Sequence, residues 1–448
     1  MKRKTKVLLI AYNFPPYIRA SSLRTFSWFQ EFSDQIDLTV ITRDWDDKIE
    51  YNHENYFNED QSISESFESI SELKRIYRIP NRHNFYFKIK NLRFFKKLKI
   101  NRVFTLFELL IKWLPITYFD NERSLYKKAK ELFQKEKFDV VLTSGEPFIL
   151  FKYIFLLKNN FNVKTIIDYR DGFSSNAARG MDKSIIQKLL LKNDRRFERK
   201  IIQSTDKILF VSNQLKTEVS EISNLVLSKS EVINNGIDSK LISSEFDERA
   251  KEYIDLSFFN ITFVGTMYPG HNINWVGDAY RNLDSNVQRK IRFNFIGTLT
   301  NCPDFVRKEL IQLKNDFPDN FVFFNYLENS ICRSIQNLSN LLLKFNAFEQ
   351  KEGHFGKKMY EYAMSKRKVL SINKDASFNN YLNFFDDKPF TYYCNSSDEI
   401  LFYFNEFYGK YLNGENLTNE ISEEELLEYS TIYQTRKIEN LIFELKNN

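Results

Sequence analysis

The chain is poor in residues that staple, break or ligate. Its 448 residues include three cysteines, four histidines, nine prolines and twelve glycines. Cys302, Cys332 and Cys394 are odd in number and widely scattered. A disulfide framework is therefore not expected, and reduced thiols in a cytoplasmic protein are. No histidine pairs with a cysteine at metal-ligand spacing, so no metal site is expected. No apolar run reaches the roughly twenty residues that a membrane-spanning helix needs. The basic start Met1–Lys6 has the charge of a secretory leader, but its apolar run closes at Ala11 and meets Pro15-Pro16. No signal peptide is expected. The net charge of +6 is mild for this length.

What remains is globular in composition. Charged residues make up 28% and aromatics 16% of the chain, and the length suits two cores rather than one. Val7–Ala11 (VLLIA) is a continuous apolar run of the kind a central parallel strand requires. The Pro pair breaks the chain after it. Ser21 or Ser22 then offers a cap, and Leu23, Phe26 and Phe29 recur at helical spacing. Further strands are expected at Asp37–Thr42, Asp139–Ser144, Lys164–Asp168, Asp206–Val211, Asn260–Gly265, Ile291–Gly297, Phe321–Tyr326 and Ser339–Phe345, and helices at Trp113–Lys130, Ser184–Ile202 and Tyr429–Leu445. Strands alternating with helices predict an α/β fold with parallel sheets.

Three stretches invite chemistry. From Glu352 the sequence EGHFGKKMYEYAMSKRKVLSI reads as a glycine-bearing loop, a short helix and a buried strand. Lys358 and Glu361, three apart, are neighbours on one helix face near its N-terminus. Unpaired N–H groups plus a Lys suit a diphosphate, and an ionised carboxylate one turn later accepts both hydroxyls of a ribose. A plain surface Lys–Glu pair is the bland alternative. Asp44-Trp45-Asp46 has the spacing of a divalent-ion site, though the two-domain pattern argues against it. Leu73–Arg102 holds eleven Lys and Arg, no acid and many aromatics. It suits a peripheral contact with an anionic membrane or a solvated insertion. No nucleic-acid motif accompanies it, so no nucleic acid is expected as partner.

The segment from Gly356 to Ile372 resembles the nucleotide-sugar signature of family 4 retaining glycosyltransferases, which have the GT-B fold. Phe355, Gly356 and Glu361 fall in place against it, while Gly353 stands where the family has its first Glu and Glu352 lies one residue earlier. The resemblance extends in order through Ser144-Gly-Glu146-Pro147-Phe, Asp168-Tyr-Arg170-Asp171, Asp206-Lys-Ile-x-x-Val-Ser212, Ser230–Asp238 and the Gly265-Thr266-Met-Tyr-Pro-Gly-His271 loop. It implies two Rossmann-like domains facing across a cleft, residues 1–238 on the acceptor side and 239–448 on the nucleotide side. A basic, aromatic insertion sits near 51–107, and a terminal helix crosses back to the first domain.

The implied donor-binding residues are Lys358, Glu361, Gly265, Thr266, His271, Gly356 and Tyr326. His271 is the nearest cationic candidate for the diphosphate. The implied acceptor-side residues are Ser21, Ser22, Arg24, Ser144, Glu146, Arg170 and Asp171. Arg24 reads equally as a solvated helix residue, and Arg170 with Asp171 as a structural ion pair. The expected partners are a nucleotide-diphosphate sugar as donor and a glycan or lipid-linked acceptor. No cofactor or metal is implied. The expected setting is surface-polysaccharide or glycolipid assembly in the cytoplasm, at the inner face of the cell membrane. No general base stands out. A GT-B scaffold with other chemistry (an epimerase or inverting transferase) and a non-catalytic binding subunit remain as alternatives.

Overall fold

The computed structural model describes residues 3–17, 20–45, 59–60, 64–83, 88, 100–175, 185–242, 245–268, 270–299, 302–345, 357–372 and 390–447. They form two compact units. Unit 1 is Met1–Gly236 together with Thr431–Asn448, and unit 2 is Ile237–Ser430.

Unit 1 is built on an eight-stranded sheet: β1 (Thr5–Ala11), β2 (Ile36–Arg43), β3 (Ser66–Ser71), β4 (Lys74–Ile79), β5 (Val140–Ser144), β6 (Lys164–Tyr169), β7 (Lys207–Phe210) and β8 (Ser230–Val232). The spatial order is β3-β4-β2-β1-β5-β6-β7-β8, parallel except for the β3–β4 hairpin. Side chains alternate across a strand, and β1 feeds two cores. Val7, Leu9 and Ala11 pack on one face with Trp28 and Phe29 of α1 (Ala20–Glu31). Leu8 and Ile10 pack on the other with α3 (Arg123–Lys135), α4 (Ile149–Phe161) and α5 (Ile185–Ser204). Between them, α2 (Ile100–Ile111) precedes an irregular turn at 112–122. The helix expected over Trp113–Lys130 is thus a turn followed by α3, because Pro115 and the Asp120–Arg123 bend interrupt it.

Part of the basic stretch expected at a membrane or in solvent is a strand. β4 pairs with β2 over Leu38–Arg43. Arg75 bridges Asp37 and Glu136, and Arg78 donates to the Pro15 carbonyl and Glu68. These guanidiniums answer the protein's own acceptors.

Unit 2 holds a six-stranded parallel sheet in the order β11-β10-β9-β12-β13-β14. Its strands are β9 (Phe259–Val264), β10 (Ile291–Ile296), β11 (Phe321–Phe324), β12 (Leu341–Phe345), β13 (Val369–Ile372) and β14 (Thr391–Cys394). One face is covered by α6 (Ile273–Arg281), α7 (Asp304–Asp316) and α9 (Ser397–Leu412). The other carries α8 (Lys357–Met364), whose Met359, Tyr360, Tyr362 and Ala363 are buried with Leu342 and Val369. The terminal helix α10 (Thr431–Asn447) returns to unit 1, where Ile438, Leu441, Ile442 and Leu445 join the core of Trp28 and Ile36.

In each sheet the chain order reverses once. In unit 1 it runs outward from β1 to β2 on one side and resumes at β5 on the other; in unit 2 the reversal lies at β9 and β12. Loops leaving adjacent strands diverge at such a point and open a crevice beyond their C-terminal ends, which is where ligands sit in open α/β sheets.

Candidate functional site

In unit 2 the reversal gathers positive charge. β9 ends at Gly265, whose φ is +133° and whose N–H donates to the Ile296 carbonyl. A Cβ there would lie 2.0 Å from Lys358 Nζ. The lysine thus fills the space that glycine leaves open, and its ammonium also sits 4.9 Å from the Phe263 ring centroid. Tyr362 fixes the helix that delivers it, donating its buried hydroxyl to the Leu343 carbonyl at 3.0 Å. Lys366, at φ +56°, ends the turn and lets the chain enter β13. Burial holds Lys358 below the ordinary lysine range against the opposing pull of Glu361, one turn on.

Lys344, on β12, is the group that sequence reasoning missed. Burial and repulsion from Lys358 push its amine down to about 8. The signal was legible in SNLLLKF, since a lysine amid the apolar residues of a doubly covered strand has a reason to be there. His271 is buried. Its Nδ1 accepts the Tyr268 N–H at 3.2 Å, and its ring lies near-parallel to Phe345 at 5.7 Å. Burial first, then Lys358 and Lys344, push it down to about 4. It is therefore neutral at physiological pH, and the expectation of a cationic His271 is corrected. With Nδ1 accepting, Nε2–H is left as a donor. Thr266 is half-exposed beside Gly265. Tyr326 lies two residues beyond the end of β11, shorter than expected, with its ring over Gly297. Gly356, with Glu352 and Gly353, lies outside the described residues.

In unit 1 the reversal gathers opposite charges. Arg24 is not a solvated helix residue. Its Nε and Nη2 donate to the two oxygens of Asp168 at 3.0 and 2.7 Å, with side-chain exposures of 1% and 0%. Its Nη1 donates to the Asn234 carbonyl. Ser144 Oγ donates to Asp168 at 2.6 Å. The guanidinium thereby ties α1, β6 and the end of unit 1 together. Ser22 is fully buried and Ser21 half-buried. Glu146 is exposed on the loop after β5, where its carbonyl accepts Asn13 from the loop after β1. Arg170 and Asp171 are half-exposed after β6. A second group that the sequence hid is Glu198 on α5, fully buried, whose carboxylate accepts the backbone N–H and hydroxyl of Ser174. Burial raises it to about 7 despite those bonds.

Asp44 is half-buried after β2, and Asp46 lies outside the described residues. Among the described residues no group of three or more His, Cys, Asp or Glu could hold a metal ion. None of their helices is long and apolar enough to cross a membrane.

Residues 27–241 match the model of Glycosyltransferase Family 4. HepE of Anabaena, solved with UDP, superimposes with a TM-score of 0.60 at 11% identity, over 98% of this chain and 100% of that one. A glycosyltransferase from Rickettsia africae superimposes with a TM-score of 0.59 at 13% identity, over 99% of each chain. The N-terminal domain of the Candida albicans trehalose-6-phosphate phosphatase gives 0.61 at 11% identity, over 99% of this chain and 97% of that one. No curated protein sequence matches. The chain has the GT-B fold, and residues 27–241, which lie mostly in its first unit, match the family 4 model.

Proposed function

We propose that the protein transfers a sugar from a nucleotide-diphosphate sugar to a hydroxyl acceptor with retention, in surface-polysaccharide or glycolipid assembly at the inner face of the cell membrane. The observation that carries this reading is the Lys358 ammonium resting over Gly265, with Lys344 close enough to be depressed by it. Two amines at a strand-end reversal, each held below its ordinary range partly by burial, gain most from an incoming anion. A diphosphate is the anion of matching charge.

Each residue then has a part. Lys358 and Lys344 flank the diphosphate, and the backbone at Gly265 and Thr266 lies against it. Neutral His271 donates from Nε2 to a phosphate or sugar oxygen. Glu361 accepts the ribose hydroxyls, and Tyr326 offers a ring to the base. HepE of Anabaena has been solved with UDP and UDP-glucose, which makes uridine donors the first to try. On the acceptor side, Ser144, Glu146, Arg170 and Asp171 border the crevice of unit 1, with Ser21, Ser22 and Arg24 holding its wall.

The reaction breaks the bond between the anomeric carbon and the β-phosphate oxygen. The acceptor oxygen bonds the same carbon on the same face, and its proton passes to the departing phosphate, so no separate base is required. The lysines stabilise the charge that develops on the leaving group, and no metal is part of this reading.

The test is a thermal-shift panel of UDP-, GDP-, ADP- and dTDP-sugars, followed by donor titration of Glu361→Ala. One donor class should stabilise the wild type. Glu361→Ala should bind it about 30-fold more weakly, the loss of roughly 2 kcal/mol that removing a charged hydrogen-bond partner brings. A silent panel, or a Glu361→Ala protein that binds and turns over donor normally, overturns the assignment. Release of free sugar from donor separates an enzyme from a subunit that only binds.

A further inference from the structure

Loop 170–175 of unit 1, which carries Arg170 and Asp171, is fastened from beneath by a buried acid. Glu198 is fully buried on α5, and its Oε2 accepts two donors from one residue of that loop, the Ser174 N–H at 3.2 Å and the Ser174 hydroxyl. Ser174 is itself almost wholly buried. The other Glu198 oxygen, Oε1, and the Tyr169 hydroxyl at the end of β6 are buried in the same place and act on each other, yet neither meets a hydrogen-bond partner in good geometry. Among the described residues no ammonium or guanidinium pairs with this carboxylate, and the charged side chain that acts on it, Asp194 one turn earlier on α5, is another acid.

Aromatic rings connect this contact to the neighbouring loop. Phe173, beside Ser174, stacks on Phe148 at 4.8 Å and meets Trp113 edge-on at 5.2 Å. Phe148 closes the stretch that holds Ser144 and Glu146. Trp113 stacks in turn on Phe197, the neighbour of Glu198, at 4.2 Å, and its Nε1 donates to Asp194 at 2.6 Å. The two loops proposed to border the acceptor crevice thus share one aromatic block, and the bonds from Ser174 to Glu198 tie that block to α5.

A carboxyl in this setting is at ease only with its proton. Ser174 occupies Oε2 with both donors, so the hydrogen resides on Oε1, facing the Tyr169 hydroxyl. Ionised, the group would be a charge out of reach of water, beside a phenol and a second acid, which is costly until solvent arrives. Burial accordingly holds its proton up to about 7, against the pull of the Ser174 and Tyr169 hydroxyls. Of the elements around it, α5 is a helix of twenty residues and β6 lies inside the sheet with a partner on each side. The loop is the part that yields at least cost, since Arg170 and Asp171 are already half-exposed.

We infer that Glu198 is the positioning residue of loop 170–175: protonated, it keeps Ser174 seated and Arg170 and Asp171 presented at the crevice of unit 1, and ionised, it releases them. The acceptor role of the loop rests on the proposed function, whereas the proton-linked release does not. The consequence is an acceptor side that is ordered below neutral pH and loosened above it.

Hydrogen exchange of the full chain without substrate, read by mass spectrometry, tests it. Peptides covering 170–175 should exchange faster than those of β6. Their protection should fall about tenfold between pH 6 and 8, as expected for an acid that titrates near 7 with the loop seated and near 4.5 with it released. Glu198→Gln should hold the same protection at both pH values. Ser174→Ala, which leaves the acid in place, should lower the protection of the loop several-fold at pH 6. With 5-fluorotryptophan incorporated, the Trp113 resonance, assigned by its loss in Trp113→Phe, should titrate with a midpoint near 7 in the wild type and stay fixed in Glu198→Gln. Loop exchange as slow as that of β6, the same pH dependence in Glu198→Gln by either readout, or unchanged loop protection in Ser174→Ala overturns the assignment. No donor enters these measurements, so their failure leaves the donor panel and the enzymatic reading standing, and a silent donor panel leaves the loop result standing.

Discussion

The two units handle buried charge in opposite ways. Unit 1 pairs it. Arg24 meets Asp168, Arg43 meets Asp60 and Lys152 meets Asp120, each pair almost wholly buried. Unit 2 brings like charges together, with Lys344 and Lys358 each depressed by burial and Lys344 further by its neighbour. A buried pair is a finished interaction that locks chain segments in place. Amines brought close together and buried have lowered pKa values, as ionisable groups at functional sites do. The paired charges therefore describe a scaffold, and the clustered ones a site.

Removing one partner of a paired charge breaks this contrast most severely. Arg24→Ala leaves Asp168 buried opposite nothing but Ser144, and should cost about 3–5 kcal/mol of stability in urea unfolding. Donor affinity, which the proposed function assigns to unit 2, should stay within error in whatever fraction folds. A mild loss would mean that water or another cation takes the guanidinium's place.

Glu198 is the exception within unit 1, a buried acid held by Ser174 rather than by a cation, and it sharpens the contrast next. An acid raised from 4.5 to about 7 on folding keeps a proton that the unfolded chain releases. Its contribution to stability should therefore be greatest below pH 4.5, fall as the pH climbs to about 7, and level off above. The drop is at most about 3 kcal/mol. Glu198→Gln, which imitates the protonated form, should flatten that slope in unfolding titrations from pH 5 to 8. An unchanged slope would place the proton elsewhere.

The smallest effect concerns the cluster itself. With the Lys344 amine near 8, affinity for a nucleoside diphosphate should weaken between pH 7 and 9 by about tenfold, or roughly 1.4 kcal/mol. Lys344→Arg stays charged and should hold its affinity across that range. Calorimetric titrations of both proteins with one ligand cancel the ligand's own ionisation. Parallel curves would remove Lys344 from the diphosphate.

Much of the fold was legible because parallel strands buried on both faces announce themselves as apolar runs. VLLIA, DLTVIT and KTIID became β1, β2 and β6 with ends shifted by no more than two residues. The β3–β4 hairpin was not legible, since every residue of β3 is exposed and β4 reads as a basic stretch when its acidic partners are unknown. Glu136 and Asp37 reach Arg75 only after folding. The site was legible where it is local, as with Lys358 and Glu361 one turn apart. It failed where two distant segments meet. Arg24 and Asp168 are 144 residues apart, and nothing along the chain marks them as a pair. His271 looked cationic because its amines, on β12 and α8, lie more than seventy positions downstream. Their approach, with burial, is what strips its charge.

The terminal helix has one more consequence, for the order of assembly. Glu439 accepts the Ser33 N–H at 2.6 Å, Gln434 accepts that of Asn234, and four aliphatic side chains of this helix pack in the core beneath β1. During synthesis, the first two hundred or so residues must wait with that wall uncovered while the whole of unit 2 is made. A nascent chain halted at Ser430 would carry a completed second unit and an open-sided first one, the form a chaperone would be expected to hold.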